Sequence, residues 1–375
     1  MAASVESEQK QGLPVVGRVS SVDFFRGLTM FLLIGESTRL YSYLLNIDNG
    51  FVHLLATQLN HHEWHGLHFW DLIQPFFMFI VGVAIPFSVH NRKKRGDSDG
   101  KLLKHAIKRS LVLLALGLIV YNITSDHIVL RLQNVLAQLS ITYLVAFLIQ
   151  RKSFSFQVVF TLIILLLADL AYRFFPVEGF NHPWEAYHNL GTWVNIKIEG
   201  SEQTSIWASL NAIPTIAHTV WGGLCGKLLI SKRIDAQKFK IMIVAGIACF
   251  IVGYSLDFLN ITPIIKKIAT SSFVFVSGGW SILVLCFSYW LIDVKKRFVK
   301  GAKMFIAVGM NCIFIYMIFE CGGTGFLSDV FMPIFNSLLF RIGGLTFKIL
   351  ISISVWVVLW YVCHWMFKNK IFIKI

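Results

Sequence analysis

An all-α, polytopic integral membrane protein of about ten transmembrane helices, with both termini cytoplasmic, is the architecture this sequence predicts. Three observations carry that expectation. The 375 residues are 56% hydrophobic and 14% charged, with 33 phenylalanines, which lies far from the make-up of a soluble domain. Mean hydropathy is +0.66. Stretches of roughly 20 apolar residues, the length that crosses the hydrocarbon, recur along the whole chain.

The elements follow in order. Residues 1–17 are polar and lack an apolar core, so they read as a disordered cytoplasmic lead and not as a signal peptide. Residues 18–375 read as one transmembrane domain. The first span, 22–45, opens on Asp23 and Arg26, an i, i+3 pair suited to a local salt bridge, and carries Glu36 in apolar surroundings. Phe51, Leu54, Leu55 and Leu59 then recur near helical spacing, which predicts a short helix lying in the interface. Further spans are expected at 72–89, 102–122, 135–149 and 154–175. Residues 176–205 are rich in Trp, Tyr, His and Asn, which suits either an interfacial aromatic belt or a surface that stacks on sugar rings. The remaining spans are 206–230, 239–259, 271–292, 304–321 and 345–367, and 322–344 reads as a plain connector turning at Pro333. Gly222, Gly223 and Gly226 form a small-residue face that suits a homodimer.

The net charge of +14 is distributed in a way that excludes nucleic acid as the first explanation. Lysine and arginine gather in alternate connections, around 92–109, 151–152, 232–240, 295–303 and 368–374. The positive-inside rule makes those connections cytoplasmic and the lipid bilayer the principal partner. All six cysteines lie in or beside apolar spans without a CxxC pair, so they read as small buried hydrophobes.

On the opposite side lies LNHHEWHGLHFWD. His61, His65 and His68 stand at i, i+4 and i+7, one face if the segment is helical, with Glu63 and Asp71 nearby. Three imidazoles on one face could hold a divalent metal, yet the HExxH spacing is missed by one residue, and no metal is expected. Solvated interfacial histidines are a second reading. Proton transfer at a desolvated boundary is the third, because imidazole titrates near neutrality and Asp71 at the mouth of an apolar helix needs a partner. Asn134, Gln138, Asn211, Asn311 and Glu320 add polar groups to apolar spans, either as interhelical hydrogen-bond glue or as binding groups. An enzyme, a permease for a small solute and a metal or proton conduit are all compatible with such a set.

The ordered segments RVSSVDFFRGLTMFLL, HxxWxGLxxxDLIxPFFMFIVGVAIPFS (residues 61–88), RLQNVLAQLSITYLVA, SLNAIPTIAHTVWGGLCGKLL, TSSFVFVSGGW and VGMNCIFIY resemble the transmembrane acyltransferases related to heparan-α-glucosaminide N-acetyltransferase, and are most similar to bacterial glucosamine-acetylating relatives. The resemblance implies transfer of an acetyl group from cytoplasmic acetyl-CoA to the amine of an amino sugar at the opposite face, in a bacterial inner membrane. It places the family's catalytic histidine on His61, as general base or transient acetyl carrier; Asp71 and Glu36, by their proximity to the motif, are the candidates to orient it or to stabilise its charged form. It brings Trp64, the tryptophan of the same motif, to the substrate. Asn134, Gln138 and Asn311 become candidates for the thioester oxyanion, and Arg26, Arg92 and Lys227 for the coenzyme phosphates. The chain departs from the family pattern at His62 for alanine, at His65 for asparagine, at Ser37 for the assisting asparagine, and at Val135-Leu136-Ala137-Gln138 for VLQR.

Overall fold

A computed structural model describes residues 19–123, 128–200, 205–338 and 344–373; the expected polar lead, 1–17, lies outside the described residues. Among the described residues there is no strand. The helices run α1 (Ser20–Ser37), α2 (Leu40–Leu44), α3 (Gly50–Gln58), α4 (Ile73–Lys94), α5 (Asp99–Asn122), α6 (Val135–Ile149), α7 (Phe154–Arg173) and α8 (Leu190–Glu199). They continue with α9 (Ile216–Ile230), α10 (Asp235–Phe258), α11 (Ser271–Ser288), α12 (Val299–Gly309), α13 (Cys312–Glu320), α14 (Gly323–Leu338) and α15 (Leu345–Lys368). Short 3-10 turns at Phe69–Leu72 and Ser209–Ala212 lead into α4 and α9.

Side-chain caps set several of these starts. Asn49, Ser98, Asn134, Ser153 and Asn189 each accept a backbone N–H from the first turn of the helix they precede. Apolar runs then decide how deeply each helix is buried. α4 and α11 are enclosed, whereas α7, α10 and α15 turn rows such as Ile163, Leu166 and Leu167, or Val244 and Ile251, outward. A helix that presents apolar side chains outward in this way is solvated by lipid.

Among the described residues five stretches are long and apolar enough to cross a membrane: Phe69–Lys94, Phe154–Arg173, Asp235–Phe258, Ser271–Val294 and Leu345–Lys368. The helices α12 and α13 reach that measure only taken together, and they are bent by 55° where they meet. The other expected spans are helical but fall short of that measure for physical reasons. α1 carries Asp23, Arg26 and Glu36, the first half of α5 is basic, and α6 and α9 have 15 residues each.

Several boundaries need correction. The span expected at 22–45 breaks after Ser37, where Arg39 takes a left-handed conformation (φ 60°) between α1 and α2. Helix α9 begins at Ile216, ten residues later than expected, because Ser209–Ala212 winds as a separate turn tied to its neighbours through Asn211. The span at 304–321 is broken at Met310 and Asn311. Residues 322–344 are not a plain connector, since α14 runs through them with Pro333 inside. The short helix expected after the first span is present as α3, with Phe51, Leu54 and Leu55 exposed.

The glycine face is also not free for a second copy. A Cβ on Gly222 would lie 2.0 Å from the carbonyl oxygen of Phe79, and one on Gly226 would lie 2.4 Å from that of Val83. Gly82 on α4 meets the Thr219 carbonyl in the same way. The stripe is therefore spent inside the chain, letting α9 lie backbone to backbone on α4 in the most extensive helix pair of the bundle. Gly27 and Gly309 bring α1 and α12 together by the same device.

The cysteines are all free; Cys225, Cys286 and Cys363 are buried, while Cys321 is exposed. Two of the basic connections meet, Arg151 and Lys93 both pairing with Asp99, and Lys227 is held by the Gln150 carbonyl. The histidine segment lies at the opposite end of α4 from Lys93.

Candidate functional site

Residues 59–72 leave α3 and return to α4 without forming a continuous helix, so the condition for His61, His65 and His68 to share a face is not met. Gly66 is the reason the segment can fold back: its φ is +140°, and a Cβ there would fall 2.5 Å from the His62 ring. Among the described residues no group of three or more His, Cys, Asp or Glu side chains is arranged to hold a metal ion. The histidines take separate partners instead. His65 Nε2 lies 2.8 Å from Asp257 Oδ1, and His68 Nδ1 lies 3.0 Å from the Asn60 carbonyl.

His61 is paired with Asp71. Its Nδ1 lies 2.9 Å from Asp71 Oδ1, and because a carboxylate only accepts, Nδ1 carries the proton and donates. Asp71 is 1% exposed and its Oδ2 accepts the backbone N–H groups of His62 (3.2 Å) and His68 (2.9 Å). That arrangement fixes the tautomer, leaving the lone pair on Nε2, which faces Glu36 Oε1 at 3.8 Å. The imidazole side chain is 36% exposed, opening into a pocket of about 200 Å³.

The pocket walls come from distant parts of the chain. α1 supplies Glu36, α5 supplies Tyr121, and α13 supplies Tyr316 and Glu320. Gln74, Gln133 and Asn134 form the polar wall towards α4 and α6. Trp207 and Lys266 close the side opposite. Lys266 is 6% exposed; its Nζ lies 3.5 Å from Asp71 Oδ1 and 3.2 Å from His61 Nδ1, and it sits 5.3 Å from the Trp207 ring centre. Desolvation in the pocket, followed by the Lys266 charge, pushes the His61 imidazole below its ordinary range despite the opposing pull of Asp71. Burial likewise lowers the Lys266 ammonium.

The structure brings His61, Asp71 and Glu36 together, with Asn134 in the wall. Gln138 stands one shell back, accepting from Gln74 at 2.5 Å and donating to the Gln133 carbonyl at 3.1 Å. Asn134 caps α6 and donates to the Gly117 carbonyl at 2.7 Å, so its amide is already engaged. Asn311 does not reach the pocket: at the break between α12 and α13 it donates to the Ile371 carbonyl and accepts from the Ile373 N–H. Trp64 also points elsewhere, donating to the Trp184 carbonyl at 2.7 Å.

Of the three candidate phosphate cations, Arg26 is tied to Asp23 (2.8 Å) and to the Gly309 carbonyl (2.7 Å), as the i, i+3 spacing foretells for the first of these. Lys227 is held by the Gln150 carbonyl. Arg92 borders a small cavity with His105, Arg109 and Tyr143. Lys266, Trp207 and Tyr316 were not foreseen from sequence. The one signal was a Lys-Lys pair, 266–267, in the connection between α10 and α11, which holds no other basic residue.

Comparison with known proteins matches residues 18–261 to the family model described as heparan-alpha-glucosaminide N-acetyltransferase, catalytic. The Mus musculus heparan-alpha-glucosaminide N-acetyltransferase is 32% identical over 135 residues, covering 34% of this chain and 18% of that protein. The Homo sapiens protein of the same name is 31% identical over 135 residues, with the same shares. The chain thus matches less than a fifth of the length of these relatives.

Proposed function

The chain belongs to the heparan-alpha-glucosaminide N-acetyltransferase catalytic family, and on that premise we propose that it is a membrane-embedded N-acetyltransferase moving an acetyl group from acetyl-CoA to the amine of a glucosamine-type sugar. The observation that carries this reading is the His61–Asp71 pair, whose free Nε2 faces a pocket that also holds Glu36.

The residues divide the work as follows. The positive-inside rule puts the basic end in the cytoplasm of a bacterial inner membrane, with about ten crossings and both termini on that side. The acyl donor enters from there, and Arg92, with His105 and Arg109 around the same cavity, attracts its phosphates. The acceptor enters at the opposite end, its amine against Glu36 and His61. His61 Nε2 takes a proton from the attacking nitrogen as the N–C bond forms and the C–S bond breaks, and the departing thiolate is then protonated. Asp71 keeps the imidazole in the productive tautomer throughout. Trp207 offers a ring face to the sugar.

The test is transfer of labelled acetyl from acetyl-CoA to glucosamine by detergent-purified protein, beside His61→Ala. Label should appear in the sugar and fall by about 10²-fold or more in the variant. Absence of both transfer and coenzyme binding with every amino sugar tried would overturn the enzyme reading and favour a permease. Glu36→Gln should raise the KM for the acceptor about tenfold, because a charged hydrogen bond to the amine is replaced by a neutral one, while leaving coenzyme affinity unchanged. An unaltered acceptor KM would remove Glu36 from the acceptor's contacts.

A further inference from the structure

We propose that Lys266 is a positioning residue that holds His61 as a neutral base, by cancelling the charge of Asp71 without breaking the hydrogen bond through which Asp71 orients the ring. The inference rests on the reading of His61 as the base.

A buried carboxylate hydrogen-bonded to Nδ1 fixes the tautomer, but its negative charge also favours the imidazolium, which has no lone pair to offer. The other carboxylates in the pocket push the same way. Glu36 faces His61 from α1, and Glu320 lies on the same wall from α13. Tyr121 from α5 and Tyr316 from α13 are neutral, as are Gln74, Gln133 and Asn134. Among the described residues near His61, two cations oppose the three carboxylates. Lys267 is directed at the Glu63 carbonyl, on the outside of the segment. Lys266 is left, with Nζ 3.5 Å from the same Asp71 oxygen that accepts the His61 Nδ1–H, and 3.2 Å from Nδ1 itself.

Since Nδ1 already carries a hydrogen, the Lys266 contact with the ring is charge against ring and not a second hydrogen bond. Its consequence is one-sided: an imidazolium would sit against an ammonium. The lowered His61 basicity agrees, with desolvation the larger cause and Lys266 the next. The same contact acts after the chemical step. Once Nε2 has taken the proton from the attacking nitrogen, the ring is repelled by Lys266 and gives that proton up more readily, to the thiolate released as the C–S bond breaks.

The architecture supports a fixed lysine. Its connection, between α10 and α11, is joined to the histidine segment by Gly66 N–H to the Ile264 carbonyl at 2.9 Å and by His65 to Asp257, while Asp257 also accepts from the Ile264 N–H. The Trp207 ring lies beside the ammonium.

The experiment uses the full chain in detergent, with Lys266→Met, Lys266→Gln and Lys266→Arg. Diethyl pyrocarbonate acylates neutral imidazole only, and peptide mass mapping reports His61 separately from the other histidines. In the wild type the pH midpoint of His61 modification should lie below the ordinary histidine value of about 6.5. It should rise by about one unit in Lys266→Met and in Lys266→Gln, and stay near the wild type in Lys266→Arg. The acid limb of kcat/KM should move upward with it, since the neutral base is then lost at higher pH. An unmoved midpoint in both uncharged variants, or a loss of kcat equal at every pH, would overturn the proposal and leave Lys266 a packing residue. If the wild type transfers no acetyl group, the enzyme reading fails on its own account, and the modification midpoint still decides what Lys266 does to His61.

Discussion

Asp71→Asn is expected to lower kcat by about 10²- to 10⁴-fold, the range that a positioned general base contributes, with little change in the KM for acetyl-CoA. The loss follows from donor and acceptor matching. Asp71 Oδ2 accepts two backbone N–H groups, while Oδ1 accepts from His61 and lies against Lys266. An asparagine has one oxygen for these two sides. If the oxygen keeps the His62 and His68 N–H groups, the amide nitrogen confronts His61 Nδ1 and the Lys266 ammonium, so the ring must accept at Nδ1 and carry its proton on Nε2. The base is then absent from the pocket. If the amide turns over, the two backbone donors are left unpaired in a buried site, at a cost of about 1–3 kcal/mol each. Steady-state kinetics together with a thermal melt separate the outcomes. Unchanged turnover and an unchanged pH profile would remove Asp71 from the mechanism.

Gly222→Leu is the second large effect, and it acts on the fold. The new side chain would start 2.0 Å from the Phe79 carbonyl oxygen, a backbone atom that cannot swing aside. α9 and α4 must separate, and the cost exceeds the about 1–3 kcal/mol typical of overpacking because the whole contact opens and not one rotamer. Loss of the monodisperse peak in detergent chromatography, or a steep fall in melting temperature, is the expected result. Gly325→Ala is the control. Gly325 is an exposed helical glycine with nothing within 4 Å of the added carbon, and alanine there should be neutral or stabilising by about 0.5–1 kcal/mol. A variant at Gly222 as stable as this control would mean that the two helices do not lie as close as the glycines allow.

The parts of this architecture that depend on local pattern were legible in the sequence. Apolar runs marked the helices, the spacing of Phe51, Leu54 and Leu55 marked α3, and the i, i+3 spacing marked the Asp23–Arg26 bridge. His61, Asp71 and Glu36 were also within reach, since titratable groups in apolar surroundings stand out one at a time. What escaped depends on which distant segments meet. Lys266 lies 205 positions from His61, and nothing in either neighbourhood announces the contact. Gly222 and Gly226 advertise a close approach without saying to what, and the partner is a helix of the same chain. Asn311 looked like a free amide because its partners, Ile371 and Ile373, lie 60 and 62 positions on. The helix α14 was hidden by Pro333, which is tolerated inside it.

The separation between His61 and Lys266 also orders events in time. At a synthesis rate of about 5–20 residues per second, the dyad leaves the ribosome some 10–40 s before the lysine. During that interval His61 and Asp71 have been made and Lys266 has not. The walls around His61 are complete only once the connection between α10 and α11 meets the histidine segment, as it does through the Gly66 N–H and the Ile264 carbonyl.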